Sequence, residues 1–165
     1  MNKRLEKCIE ISLGLRPKKQ TGKSFHTTFI FNKNRILSIG TNNYNKEHPY
    51  HKMGKYCGYK QNPSQYNPCL HSEISALLRL GEEDCSRYTF VNIRIDNNNK
   101  TSIAKPCPNC QRILNQVGYK KIIYSNSENG FDEILGWFFS RRSFLPIWAR
   151  GGVFRKKGGS KQKNI

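Results

Sequence analysis

Residues 71–125, HSEISALLRLGEEDCSRYTFVNIRIDNNNKTSIAKPCPNCQRILNQVGYKKIIYS, decide the fold. Ile74, Leu77 and Leu78 fall on one face of a short helix running from His71 to Leu80, and Gly81 supplies its stop. Tyr88 to Ile95 is rich in β-branched and aromatic residues, as a buried strand requires, and the Asn-rich stretch Asp96 to Ser102 is a polar loop. Pro108 suits the first turn of a second helix, where its missing N–H costs nothing; Ile113, Leu114 and Val117 face inward and Gly118 closes it. Lys121 to Ser125 reads as the next strand. Helices alternating with strands in this way predict a layered α/β domain.

Working outward, Leu5, Cys8, Ile9 and Leu13 recur at helical intervals, which predicts an amphipathic helix over 2–14 with Cys8 in the core and Gly14 and Pro17 ending it. Phe25, Thr27, Phe29 and Phe31 alternate with their neighbours; Asn32-Lys33-Asn34 then turns the chain into a second strand, Ile36 to Gly40, giving a β-hairpin. Tyr44 to Cys69 has no clear period and reads as a long loop without elements, carrying five of the eight tyrosines among Lys46, Lys52, Lys55 and Lys60. Downstream, Asn129 to Phe139 reads as a helix and Phe144 to Ala149 as a last strand, at an edge because of Pro146. The order α-β-β-α-β-α-β-α-(β) predicts a mixed sheet of about five strands covered by helices on both faces. At 165 residues the chain fits one domain, residues 1–149, followed by a mobile basic tail over 150–165.

Composition narrows the partners. With 36% hydrophobic and 12% aromatic residues the chain is neither collagen-like nor strongly disordered, and a mean hydropathy of −0.75 marks a polar surface. No run of 18 apolar residues exists, and Glu6 and Glu10 interrupt any signal-peptide reading of the start, so no membrane partner and a cytoplasmic location are expected, the host cytoplasm if the gene is viral. The net charge of +18 is unevenly placed: +10 in residues 1–60, zero in 61–133 and +8 in 134–165. Basic ends around a neutral middle attract nucleotides, nucleic acid or a phosphate-rich surface, or simply stay solvated. Six cysteines without a secretory signal argue for metal ligation, reactive thiols or buried small hydrophobes rather than a disulfide framework.

His71-Ser72-Glu73 opens one predicted helix and Pro106-Cys107-Pro108-Asn109-Cys110 opens the other. Helix beginnings expose free N–H groups and a positive dipole end, which stabilise thiolates. One histidine and two thiolates, His71, Cys107 and Cys110, make three ligands for a tetrahedral Zn2+ and leave the fourth position for water, as catalytic sites do. Zinc brings the pKa of such a water to roughly 7. Glu73, two residues past His71, is then placed to move protons as a carboxylate that is not a ligand. The set suits hydrolytic removal of an exocyclic amine. A structural zinc site would instead need a fourth ligand, for which Cys69, Cys57 and His51 are candidates; His26 and His48 carry no assigned role.

At these residues the sequence resembles the zinc-dependent cytidine and deoxycytidylate deaminase superfamily, whose signature is H-x-E followed by P-C-x-x-C. The resemblance spans residues 25–125. It implies a three-layer cytidine-deaminase-like sheet, zinc bound by His71, Cys107 and Cys110, and Glu73 as the proton shuttle. Gly40-Thr41-Asn42 looks like the family's small-x-Asn segment, which implies that Asn42 hydrogen-bonds the substrate sugar. Ser72 replaces the usual alanine, the 36-residue separation of His71 from Cys107 is long, and Ile103-Ala104-Lys105 lacks the Ser-Trp-Ser found before this proline in vertebrate polynucleotide cytosine deaminases. The stretch Tyr44 to Cys69 resembles the variable substrate loops of phage- and virus-type nucleotide deaminases. The leading expectation is deamination of cytosine to uracil in a free nucleotide such as dCMP, or in cytidine, by a possible homo-oligomer. Two alternatives stand beside it: a cytosine or adenine deaminase acting on single-stranded nucleic acid or tRNA, and a non-catalytic, zinc-stabilised basic module that binds nucleic acid.

Overall fold

Alternation along the first strand sets the layers. In the computed structural model, which describes residues 2–17, 24–47, 69–81, 84–127 and 130–136, β1 (Phe25–Asn32) sends Phe29 and Phe31 to one side of a sheet and Ile30 to the other. Its hairpin partner β2 (Arg35–Thr41) lies antiparallel on one edge, and β5 (Thr89–Ile95) lies antiparallel on the other. β5 runs parallel to β7 (Lys121–Ser125), which pairs antiparallel with β8 (Phe131–Leu135). The strand order is β2-β1-β5-β7-β8, with the short β6 (Thr101–Ser102) added to β5. The mixed sheet foreseen from the sequence is therefore present.

Each face has its own core. On one side α1 (Lys3–Leu15) lays Leu5 and Cys8 against Phe29, Phe31, Val91, Ile93, Ile95 and Ile123. On the other, α2 (Ser72–Leu80) and α3 (Pro108–Val117) bring Ile74, Leu77, Ile113 and Leu114 onto Ile30, Phe90 and Ile122. Consecutive strand residues such as Phe90 and Val91, or Ile122 and Ile123, thus feed opposite cores, which is why these strands read as continuous apolar runs. Helices on both faces give the three-layer α/β arrangement.

Several local expectations change. Where the sequence predicts a helix over Asn129 to Phe139, the described part is a strand, β8. Phe131 and Ile134, spaced as on a helix, sit on opposite faces of that strand, and each packs against a different core. Both are covered, so pairing with β7 outweighs the helical spacing. Tyr44 to Cys69 is not wholly without elements, because β3 (Asn43–Glu47) and β4 (Cys69–Leu70) pair antiparallel at its two ends. Gly14 lies inside α1, not at its stop; Leu13 is 38% exposed, and the buried seam is Leu5, Cys8 and Ser12, whose hydroxyl donates to the Cys8 carbonyl at 2.8 Å. Leu78 is 44% exposed, because α2 is buried on all sides only from Ser72 to Leu77 and its last turn emerges. Phe144 to Ala149 and the tail from residue 150 lie outside the described residues.

The approach of α2 to β2 fixes where the functional residues stand. Ser38 donates to the Ala76 carbonyl at 2.8 Å and Arg79 to the Ile39 carbonyl at 2.8 Å. Between them, a Cβ on Gly40 would meet the backbone of Ser72 and Ala76, including the Ala76 Cα at 2.7 Å. Only glycine fits there. Gly40→Ala is expected to cost about 1–3 kcal/mol through overpacking and to lower zinc occupancy by shifting α2, checked by thermal denaturation and metal analysis. A second expectation concerns Cys8, whose thiol burial pushes up from 9.0 to about 12, partly offset by Arg4. The unfolded thiol ionises first, so this contribution to stability is intact below pH 9 and is lost as pH rises toward 12. Denaturation midpoints followed over that range should fall less steeply in Cys8→Ala than in the wild type.

Candidate active site

Two helix N-termini meet over the sheet. His71 is the N-cap of α2 in extended backbone, its carbonyl accepting from the Ser75 N–H at 3.0 Å. Cys107 is the N-cap of α3, its sulfur accepting from the Cys110 N–H at 3.5 Å, with Pro108 opening the helix. The gap between the motifs is taken up by β5, the Asn-rich loop and β6. The sequence-predicted residues His71, Cys107 and Cys110 converge: their donor atoms all lie within 4.8 Å of one another.

The fit to zinc can be tested on distances. His71 Nδ1 is 3.5 Å from Cys107 Sγ and 3.4 Å from Cys110 Sγ. Tetrahedral zinc with Zn–S near 2.3 Å and Zn–N near 2.0–2.1 Å places N and S about 3.6 Å apart. Both nitrogen–sulfur separations therefore match edges of the tetrahedron, and the residues fit the ion. Cys110 is fully buried, while His71 and Cys107 are half-buried, so the centre has a closed floor. Of the candidates for a fourth ligand, Cys69 is buried on β4 and hydrogen-bonds the His71 ring, but its sulfur is not part of the cluster of donor atoms. Cys57 and His51 lie outside the described residues.

Without metal, the three ligands share protons. The Cys107 thiol is held down at about 4, chiefly by its hydrogen bond with Cys110 and also by those with His71, against the effect of burial. Cys110 is pushed well up by the same bond and by burial. Burial works to lower the His71 imidazole, but hydrogen bonds to Cys107 and Cys69 and the charges of Cys107 and Glu73 outweigh it and hold it at about 10.

Glu73 lies beside this cluster and is itself buried, 7% exposed; burial, first of all, raises its pKa. It hydrogen-bonds Cys110 on one side. On the other, Ser72 Oγ lies 3.2 Å from Oε2, and Asn92 Nδ2 donates to Oε1 at 3.4 Å. Thr28 Oγ1 then touches both Ser72 Oγ at 2.9 Å and Asn92 Oδ1 at 3.0 Å. Asn42 stands where β2 gives way to β3; its Oδ1 accepts from the His26 N–H at 2.9 Å and its Nδ2 donates to the Ser24 carbonyl at 3.2 Å. Tyr44 donates to the same carbonyl at 2.6 Å.

Sequence reading missed three residues here. Thr28 and Asn92 are buried polar side chains, and a buried amide between the apolar Val91 and Ile93 is a signal that it needs a partner. His26, two residues from Thr28 on β1 and so on the same face, is pushed down to about 4, mainly by burial and then by the Arg94 and His71 charges, and is therefore neutral at neutral pH.

The sequence profile described as the cytidine and deoxycytidylate deaminase zinc-binding region matches residues 3–126. No curated protein sequence matches the chain. Among solved structures, cytidine deaminase from Burkholderia pseudomallei is similar at 11% identity with a TM-score of 0.50, covering 82% of this chain and 92% of its own. A dCMP deaminase from the cyanophage S-TIM5, in apo form, is 21% identical with a TM-score of 0.43 over 76% of this chain and 86% of its own. The first likeness is one of fold. Removing the metal with a chelator is expected to abolish turnover and lower the thermal midpoint, with both restored by stoichiometric zinc.

Proposed function

The chain belongs to the cytidine and deoxycytidylate deaminase zinc-binding family, and from that membership we propose that this zinc-dependent deaminase converts the cytosine of a free nucleotide, dCMP in the first instance, to uracil. The observation that carries the reading is the three-ligand cluster with a buried, non-ligating carboxylate beside it. Three protein ligands leave a tetrahedral metal one position for water. A structural site would need a fourth ligand, and among the described residues none joins the three.

When bound by His71, Cys107 and Cys110, zinc supplies Lewis acidity that makes water nucleophilic near neutral pH. The remaining work falls to the chain. Water adds at C4 of the base, and Glu73 takes a proton from it and delivers it to N3. The second proton transfer, again through Glu73, goes to the exocyclic amine, which leaves as ammonia, and the C4 oxygen becomes the carbonyl of uracil. Burial of Glu73 supports this role, since burial raises its pKa and makes the carboxylate readier to take up the proton that it later returns. We place Asn42 against the sugar of the substrate; its side chain is held at the end of β2 by the His26 N–H and the Ser24 carbonyl, which Tyr44 also bonds. The basic excess of the chain favours a phosphorylated substrate over a neutral nucleoside. It also favours a second reading, in which the cytosine or adenine lies in a single strand held by the basic ends.

Ammonia release and product identity should be measured with zinc-loaded protein on dCMP, cytidine and a cytosine-containing single strand in parallel. The expected outcome is uracil nucleotide from dCMP, with Glu73→Ala reducing turnover by roughly 10²–10⁴-fold while zinc stays bound. Turnover confined to the strand would move the function to nucleic acid. In that case log affinity should fall with log salt at about −0.7 per phosphate neutralised.

A further inference from the structure

Thr28 on β1 and Asn92 on β5 are direct partners in the sheet, and both reach the first turn of α2, where Ser72 and Glu73 stand. The contacts close into a ring: Glu73 Oε2 to Ser72 Oγ at 3.2 Å, Ser72 Oγ to Thr28 Oγ1 at 2.9 Å, Thr28 Oγ1 to Asn92 Oδ1 at 3.0 Å, and Asn92 Nδ2 to Glu73 Oε1 at 3.4 Å. All four residues are buried, with exposures of 7%, 2%, 0% and 2% in that order. Their neighbours in chain and sheet, Ile30, Ile74 and Phe90, are fully buried and apolar.

We propose that this ring sets the orientation of the Glu73 carboxylate for proton transfer, with Thr28, Ser72 and Asn92 as positioning residues. The inference rests on the reading of Glu73 as the proton shuttle. The terminal torsion of a glutamate is broad, so a carboxylate held at one oxygen still rotates. Here each oxygen is gripped by a different element, Oε2 from the helix and Oε1 from the sheet, and Thr28 ties the two grips together. Helix and sheet thus fix the plane of the carboxylate jointly. An apolar floor would pack as well without four polar groups that must satisfy one another away from water. Ser72, where the family pattern has alanine, is the member that closes the ring.

The test uses the full-length, zinc-loaded protein and whichever substrate it turns over. The variants are Thr28→Val, Ser72→Ala, their combination, Thr28→Ser and Glu73→Gln. Thr28→Val should lower kcat about tenfold with KM and zinc content unchanged, in line with the steep cost of a misplaced catalytic group. Thr28→Ser should restore the wild-type kcat, and Thr28→Val with Ser72→Ala should be no worse than the more damaging single change, because the ring acts as a unit. A crystal structure of Thr28→Val should hold the Glu73 carboxylate in more than one orientation. Wild-type kcat in Thr28→Val, with turnover lost in Glu73→Gln, overturns the ring and leaves the shuttle standing. So does a fall in thermal midpoint alone, or an unmoved carboxylate. Retained turnover in Glu73→Gln overturns the shuttle reading and the inference with it. If Thr28→Val does not fold, Ser72→Ala reads the same question, with a several-fold loss of kcat expected and an unchanged kcat overturning it.

Discussion

The convergence of two helix N-termini on one spot above the sheet is the constraint on which the rest of the structure depends. His71 caps α2 and Cys107 caps α3, and the metal cluster exists only if both caps arrive within a few ångströms of one another. The parallel pair β5 and β7 makes this possible, because the chain leaves β5, crosses through α3 on the α2 side and returns in the same direction. The helices are therefore neighbours in one layer. Gly40 lets α2 settle against β2 at a distance that no side chain would permit. A metal ion gripping both helix ends would in turn hold this face of the molecule together, so folding and metal binding are expected to support one another.

A second layer of organisation lies beneath the cluster. Polar groups are costly when buried, yet Thr28 and Asn92 sit side by side in the centre of the sheet. They find partners in Ser72 and Glu73 and so remain satisfied without water. Three oxygen–oxygen contacts in this ring share two hydroxyl hydrogens, so all three are filled when Glu73 carries a proton. Burial acts on the carboxyl in the same direction. The two effects reinforce each other at Glu73, the side chain proposed to move the protons.

Much of the chain was legible before its structure. Helices ending in glycine at 81 and 118, the strand of β-branched residues before Asp96, and the hairpin around Lys33 each follow from local rules of capping, propensity and turn chemistry. The same local rules failed where a neighbour decided the outcome. Phe131 and Ile134 carry a helical interval but serve two cores as a strand, because β7 offered an unpaired edge beside them. Leu13 and Leu78 are apolar at positions that no second layer covers, and a sequence does not say which side of a helix its neighbours will reach.

By itself, then, the sequence determined the layered α/β class and singled out the three candidate zinc ligands and the carboxylate beside them, because ligand chemistry depends on residue type and helix-start spacing, both of which are local. Only the tertiary structure decided that His71 and the two cysteines stand at tetrahedral distances. It alone also decided that Cys69 bonds to the ring rather than joining the donor set, and that Thr28 and Asn92 reach Glu73. Apart from the bond between Cys69 and His71, those contacts join residues from 19 to 64 positions apart, across strands whose pairing depends on the packing of the whole sheet. No pattern within one segment encodes them.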